Sequence, residues 1–237
     1  MQTESLALGY LAIPDGGGPG LVLIHDVWGL SDHQRDFARR FAADGFLTLA
    51  IDLYRPLGHP RVSDPGPFMR ELSDPDVLRT VQSGVDLVRS RPELRGKVGI
   101  VGFCMGGTYA LFSGAMVNGI SAIAPFYGVL SHRHGLYYSE QGLDPLKKPR
   151  EPVRAAADLR VPMLACFGAE DQFIPLSDVK ELEQTVAGKP DVEIHVYPGA
   201  GHAFANDTRP QMYRPEAARD AYAKAVTFLR RHLEAPR

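Results

Sequence analysis

A cysteine flanked by glycines stands at the centre of the stretch with the clearest chemical potential, Gly102-Phe103-Cys104-Met105-Gly106. The pattern matches the G-x-S-x-G turn of hydrolases, with cysteine in the place of serine. Such a turn joins a buried strand to a helix and exposes its central side chain, and its glycines avoid collisions with neighbouring backbone. The positive end of the helix that follows favours a thiolate. Taken alone, the pattern fits a catalytic nucleophile and a buried structural thiol equally well.

Two residues further along the chain favour the catalytic interpretation. Asp171 follows the apolar run at 161–168, and His202 follows the apolar run at 192–198. This is the order nucleophile, acid, histidine that hydrolases of this type use. We expect His202 to accept the proton of the Cys104 thiol, and Asp171 to orient the imidazole and stabilise its charged form.

Backbone N–H groups that stabilise an oxyanion are expected at two positions. The residue after the nucleophile supplies one donor, which is Met105 here, and the loop after an early strand supplies the other. The stretch HDVWGL at 25–30 is that loop, and it makes Val27 the second donor. Such donors are worth about 3–4 kcal/mol each, because they act on charge that appears only in the transition state.

Apolar runs and amphipathic runs alternate along the chain and define the elements that must position these residues. Near-continuous apolar runs predict strands buried on both faces at 21–25, 47–52, 98–103, 120–126, 161–168 and 192–198, with a further strand in SLALGYLAIP near the start. Periodicity and capping residues predict helices at 31–44, 75–91, 105–117, 175–188 and 215–233. The alternation predicts an α/β fold with a mostly parallel central sheet, helices on both faces and a single domain over 1–237.

Two segments interrupt the alternation, at 53–74 and at 129–152. Both follow predicted strands, so both should lie at the carboxyl edge of the sheet, where open α/β sheets bind ligands. Long irregular connections in a compact domain are often functional. We expect 129–152 to be a lid or an insertion that shapes the pocket. A solvated insertion and a surface for self-association are the alternatives.

Composition limits the class of protein. Of 237 residues, 44% are apolar and 23% are charged, and the formal net charge is −2. This balance argues against nucleic acid as a partner, and no apolar run reaches the ~20 residues that span a bilayer. The presence of only two cysteines favours a reducing, cytoplasmic location. Cys166 lies inside an apolar run and is expected to be part of the core.

The motifs together resemble those of the dienelactone hydrolase family, which has the α/β-hydrolase fold. The resemblance rests on HDVWGL, LAIDLYRP, GFCMGG, GAEDQFIP and GHAFAND in that order, and it covers nearly the whole chain except the segment near 129–152. It implies a catalytic triad of Cys104, Asp171 and His202. It also implies thiolate attack on an ester or lactone, an acyl-enzyme released by water, and no metal or other cofactor.

Three departures from the family pattern concern the substrate. The best-known member has a glutamate where this chain has Asp26; we expect Asp26 to act in the site beside Val27, and the alternative is that it only organises the loop. That member grips a substrate carboxylate with an arginine where this chain has Asn206. A second such arginine has no secure match, although Arg55 and Arg70 lie in a suitable loop. The segment at 129–152 is also longer than the corresponding segment of that member.

Three aromatic residues complete the predicted pocket. We expect Trp28 of HDVWGL and Phe204 of GHAFAND to contact the substrate, together with Tyr127, which directly follows a predicted strand.

The function predicted from the sequence is hydrolysis of a small carboxylic ester or lactone through Cys104, by a monomer or a homodimer. The alternative is a small-molecule-binding or thiol-sensing protein without hydrolytic activity on the same fold. The order of the triad does not suit a papain-like peptidase. Acyl transfer to another alcohol or thiol stays open, since the same acyl-enzyme serves both reactions.

Overall fold

Eight strands form one central sheet in the computed structural model, which describes residues 1–234. The strands are β1 (Gln2–Leu6), β2 (Gly9–Ile13), β3 (Gly18–Ile24), β4 (Leu47–Ile51), β5 (Leu94–Phe103), β6 (Ala122–Phe126), β7 (Met163–Gly168) and β8 (Val192–Tyr197). Their spatial order is β1-β2-β4-β3-β5-β6-β7-β8. The pairs β1–β2 and β2–β4 are antiparallel, and all pairs from β4 to β8 are parallel.

The chain reverses its direction of winding at β3. It passes from β3 to β4 on one side and later returns to place β5 on the other side, where Ile24 pairs with Gly102. The carboxyl ends of β3 and β5 therefore lie side by side at a topological switch point, which is where open α/β sheets form their ligand crevice.

Residues 1–234 contain seven α-helices: α1 (Asp32–Ala43), α2 (Pro65–Glu71), α3 (Asp74–Ser90), α4 (Met105–Met116), α5 (Pro152–Ala155), α6 (Leu176–Thr185) and α7 (Pro215–Leu233). Gly84 of α3 lies against the side chain of Val22, and Leu233 of α7 lies against Gly99. Val22 pairs with Ile100, the neighbour of Gly99, and adjacent strand residues point to opposite faces. Helices α3 and α7 therefore cover opposite faces of the sheet.

The predicted strands and helices coincide with observed ones, with ends that differ by a few residues, and two predictions need correction. SLALGYLAIP forms two strands, because the chain turns between Leu6 and Gly9 and pairs β1 with β2. The segment 53–74 contains α2, which begins at Pro65 after Asp64 accepts a hydrogen bond from the Gly66 N–H. Proline breaks the interior of a helix but fits its first turn. The prolines of this segment therefore concealed the helix in the sequence.

The segment 129–152 has little regular structure, yet charged side chains hold it near both of its ends. Lys148 lies 2.5 Å from Asp74 at the start of α3. Arg133 contacts Glu181 of α6 at 2.5 Å, and His134 contacts Asp178 at 2.7 Å. The ends of the segment are thus anchored to two helices. Within residues 1–234, no helix has the length and apolarity needed to cross a bilayer.

Candidate active site

Cys104 lies on the tight turn between β5 and α4. Its backbone angles, φ 55° and ψ −117°, are strained for a residue other than glycine. A Cβ at Gly102 would lie 2.0 Å from the carbonyl oxygen of Gly106, and a Cβ at Gly106 would lie 2.1 Å from the carbonyl oxygen of Ile24. Only glycine fits at these two positions, so the spacing seen in the sequence is a steric requirement of the turn.

Backbone strain is concentrated around this turn. Five residues other than glycine have a clearly positive φ in the part of the chain that the structure describes. Three of them, Cys104, Tyr127 and Ala203, line one cavity. Such conformations cost about 1–3 kcal/mol each and persist where the surroundings enforce them, which is common at functional sites.

His202 and Asp171 meet at the carboxyl ends of β8 and β7. The Nδ1 atom of His202 lies 2.8 Å from Oδ2 of Asp171, and the other carboxylate oxygen accepts a hydrogen bond from the Phe173 N–H at 2.9 Å. The imidazole lies between the rings of Phe173 and Tyr127, with centroid distances of 5.1 and 5.4 Å. Hydrogen bonds and aromatic packing therefore fix the orientation of the imidazole.

The surroundings of His202 favour its charged form. Burial works against the imidazolium, but the neighbouring Cys104 sulfur and the Asp171 carboxylate outweigh it and raise the pKa of His202 to about 10. The Nε2 atom is buried and has no hydrogen-bond partner within residues 1–234. Because Nδ1 is bound to Asp171, Nε2 is the nitrogen available to exchange a proton with Cys104.

Two backbone N–H groups beside Cys104 have no acceptor among the described residues. The first belongs to Met105, the first residue of α4, whose N–H has no partner within the helix and no capping side chain. The second belongs to Val27 in the loop that follows β3, residues 25–29, which we call the oxyanion loop. Because β3 and β5 are neighbours, this loop lies directly beside the turn that carries Cys104.

The cavity that these elements enclose has a volume of about 200 Å³, and its walls are mainly apolar. Trp28 stands on its wall with 43% of the residue exposed. The Arg209 guanidinium lies 4.9 Å from the centroid of the Trp28 ring. Small, largely apolar cavities with a few polar groups are typical of small-molecule sites.

The structure brings most of the predicted site residues to this cavity. The predicted residues on its wall are Asp26, Val27, Trp28, Cys104, Tyr127, His202 and Asn206. Asp171 is not on the wall. It lies behind His202 and is hydrogen-bonded to the imidazole. The amide oxygen of Asn206 accepts hydrogen bonds from the N–H and the hydroxyl of Thr208, so its NH₂ group is the part left for a ligand.

Three predicted substrate contacts need correction, because they lie off the cavity wall. Arg55 is exposed on the short 3₁₀ turn that follows β4. Arg70 of α2 donates its hydrogen bonds to the carbonyl oxygens of Leu136 and Tyr138, so it supports the segment 129–152. Phe204 is fully buried and packs behind Tyr127 at a centroid distance of 5.3 Å.

Several cavity residues were not predicted from the sequence, among them Leu136, Gln172, Phe173, Arg209 and Met212. Arg209 had a usable signal, because it lies three residues after Asn206 and is the first cation after the GHAFAND motif. Leu136 had none, since its place on the wall depends on how the segment 129–152 folds back over the sheet.

Comparisons with known proteins identify a family and several relatives of this chain. The sequence profile of the dienelactone hydrolase family matches residues 8–233. The chain is 29% identical over 235 residues to an Aquifex aeolicus protein named "Putative carboxymethylenebutenolidase", covering 95% of this chain and 94% of that protein. It is 32% identical over 233 residues to a Bradyrhizobium protein named "Probable 2-oxo-3-(5-oxofuran-2-ylidene)propanoate lactonase", covering 95% and 90% of the two chains.

A solved structure from Klebsiella pneumoniae, described as "Putative Dienelactone Hydrolase", superimposes with a TM-score of 0.83 at 30% identity. The alignment covers 94% of this chain and 92% of the other. The mostly parallel sheet with helices on both faces is thus the α/β-hydrolase fold. The chain is a carboxylic ester hydrolase, and it belongs to the dienelactone hydrolase family.

Proposed function

We propose that the protein hydrolyses small carboxylic esters or lactones with a triad of Cys104, His202 and Asp171, through a thiol acyl-enzyme. The observation that carries the proposal is the pairing of a strained cysteine turn with a histidine whose Nδ1 is held by Asp171 and whose buried Nε2 has no hydrogen-bond partner within residues 1–234. The name of the Bradyrhizobium relative supports a lactone as one class of substrate.

In the first half of the reaction, Nε2 of His202 takes the proton of Cys104, and the sulfur attacks the carbonyl carbon. The electron pair of the carbonyl moves to its oxygen, which accepts hydrogen bonds from the N–H groups of Val27 and Met105. The intermediate then collapses, the bond from carbon to the alkoxy oxygen breaks, and the alkoxide takes the proton from His202. For a lactone, this step opens the ring and leaves the new hydroxyl on the acyl group.

In the second half, a water molecule gives a proton to His202 and attacks the thioester carbonyl. The same two N–H groups receive the new oxyanion. Collapse expels the Cys104 thiolate, which recovers the proton from His202, and the carboxylic acid leaves. Asp171 keeps Nε2 directed at the sulfur and stabilises the imidazolium in both halves.

Replacing Cys104 with alanine removes the proposed nucleophilic sulfur and so tests the proposal. Cys104→Ala should lower kcat for short-chain aryl esters or lactones by about 10³-fold or more, because the nucleophile is gone. Cys166→Ala is the matched control: Cys166 is fully buried in β7, and burial raises the pKa of its thiol, so this variant should retain activity. Iodoacetamide should likewise label Cys104 well before Cys166.

Turnover by Cys104→Ala at the rate of the unmodified protein would refute the proposed nucleophile. Mass spectrometry of the protein mixed with substrate separates the two functions considered. An acyl adduct on Cys104 supports the hydrolase, whereas reversible oxidation of Cys104 by mild peroxide, without turnover of any ester, supports a thiol sensor.

A further inference from the structure

Two consecutive peptide groups of the oxyanion loop are held from several sides. The carbonyl oxygen of Asp26 lies 2.6 Å from Nδ1 of His25 and accepts a hydrogen bond from the Gly29 N–H at 3.2 Å. In the next peptide group, the carbonyl oxygen of Val27 accepts a hydrogen bond from the Tyr54 hydroxyl at 2.8 Å. The N–H of the same group, which belongs to Trp28, donates to Oδ1 of Asp26 at 2.9 Å.

The two peptides carry four polar groups. Within residues 1–234, the N–H of Val27 is the one group of the four that has no hydrogen-bond partner. A trans peptide is planar, so its N–H points away from its C=O. Contacts to the Asp26 carbonyl thus set the direction of the Val27 N–H. Contacts to the peptide that joins Val27 and Trp28 set the remaining torsion at Val27. The direction of this proposed oxyanion donor depends on both sets.

Tyr54 acts on this loop from outside the cavity. Its backbone N–H donates to Oδ1 of Asp52 at 3.1 Å, and its ring lies edge-on to those of His25 and Phe68 at centroid distances of 4.7 and 5.1 Å. Its hydroxyl also lies 3.5 Å from the sulfur of Met105. The hydroxyl therefore contacts both residues whose N–H groups face the proposed oxyanion.

The Tyr54 hydroxyl keeps its proton over the ordinary range of pH. Burial, helped by the neighbouring Asp26 and Cys104, raises the pKa of the Tyr54 hydroxyl, so it remains a donor. Gly29 makes the arrangement possible, because a Cβ at this position would lie 3.1 Å from the Tyr54 ring. Oδ2 of Asp26 lies 3.3 Å from the Gln34 amide nitrogen, which fixes the carboxylate in the orientation that serves Trp28.

We propose that Tyr54 and Asp26 are positioning residues that clamp the peptide between Val27 and Trp28 from opposite sides and so aim the Val27 N–H at the oxyanion. The inference rests on the proposed function, since it presumes an oxyanion at Val27. It gives Asp26 a defined role as an acceptor for a backbone N–H, whose effect on Cys104 is indirect.

Tyr54→Phe tests the first side of the clamp by removing one oxygen atom. We expect kcat for an aryl ester to fall about 10- to 100-fold, less than the loss of a whole oxyanion donor, while KM stays within about threefold. The affinity for an alkyl trifluoromethyl ketone, which forms a tetrahedral hemithioketal with a thiol, should fall by a similar factor. Tyr222→Phe is the matched control, since it removes a hydroxyl that donates to Asp44, also at 2.8 Å, away from the cavity.

Asp26→Asn and Asp26→Ala test the second side and separate position from charge. Asparagine keeps an oxygen that can accept the Trp28 N–H but removes the charge, whereas alanine removes both. We expect the kcat of Asp26→Asn to exceed that of Asp26→Ala by about 10-fold or more. Equal losses in the two variants would show that the charge of Asp26 matters, and would overturn its role in the clamp.

The remaining outcomes are also decisive. Unchanged kcat and unchanged inhibitor affinity in Tyr54→Phe, or a rise in KM alone, would overturn the inference, and the proposed function would survive if Cys104→Ala is inactive in the same assay. Activity in Cys104→Ala would remove both proposals together. If Tyr54→Phe does not fold, as judged by circular dichroism, the pair of Asp26 variants decides the matter.

Discussion

Arg209 gives the cavity a charge that the catalytic chemistry does not use. It is the one arginine or lysine on the cavity wall of the described chain, and its side chain makes no ion pair within residues 1–234. The face of its guanidinium lies near the Trp28 ring, an arrangement that leaves the N–H groups at its edge available. A planar fork of donors at a cavity mouth suits a carboxylate, which it can bind through two parallel hydrogen bonds.

Replacement of this arginine should therefore change the preference among substrates. We expect Arg209→Gln to raise KM about 10-fold for a lactone that carries a carboxylate, with kcat little changed, because a charge-assisted contact is lost in ground state and transition state alike. A neutral lactone of the same size should show no such change. Arg55→Gln removes an exposed arginine off the cavity wall and serves as the control. Equal effects on both lactones would contradict a carboxylate contact.

At the scale of single residues, the sequence predicts what a local motif dictates. Cys104, with its two glycines, follows from the sterics of one turn, and Asp171 and His202 follow from their places after strands. Arg209 and Leu136 reach the cavity only through tertiary packing, which no local pattern encodes. Arg70 was predicted to bind the substrate because it is an arginine in a loop near the site. In the structure it donates instead to backbone carbonyls of the segment 129–152.

At the scale of elements, the segment 129–152 forms part of the cavity wall and is held by a buried ion pair. Of its residues, Leu136 lies on the cavity wall. Lys148 is fully buried and contacts both Asp74 and the hydroxyl of Tyr109, which itself donates to Asp74. We propose that this buried group makes the segment a fixed wall of the pocket, in contrast to a lid that opens freely.

Lys148→Met should be costly, because it leaves the Asp74 carboxylate buried without its cation. We expect the free energy of unfolding to fall by about 3–5 kcal/mol, measured by urea denaturation. Lys147→Met is the neighbouring control: Lys147 pairs with the exposed Glu71 at the surface, where solvent screens the pair, so this variant should leave the free energy of unfolding nearly unchanged. Similar losses in the two variants would show that the buried pair does not anchor the segment.

Some strands and helices also follow from a local sequence pattern, whereas others depend on tertiary contacts. Strand β7 and the second half of β5 are predicted because burial on both faces demands an unbroken apolar run. The turn between β1 and β2 is harder to see, since Gly9 is required by its close approach to β4, where a Cβ would lie 2.1 Å from the carbonyl oxygen of Ala50. Helix α2 is concealed by prolines that a first helical turn accepts.

At the scale of the whole molecule, the site is assembled from two pairs of strands. The proposed oxyanion donors follow β3 and β5 at the switch point, whereas Asp171 and His202 follow β7 and β8 at the far edge of the sheet. Strand β6 lies between the pairs and ends at Phe126; the next residue is Tyr127, whose ring contacts that of His202. The two halves are brought together only by the folded sheet, so a ligand that bridges them should stabilise the fold as a unit.

A trifluoromethyl ketone is such a ligand, because its hemithioketal with Cys104 would place an oxyanion at Val27 and Met105 beside His202. At a free concentration of about 100 times Kd it should raise the free energy of unfolding by about 2.7 kcal/mol. Hydrogen exchange should slow in the loops after β3 and β5 and also in those after β7 and β8. Cys104→Ala should show neither effect, and Cys166→Ala should show both. Protection confined to the turn at Cys104 would mean that the adduct does not reach the other half, and the joint role of the four loops would have to be abandoned.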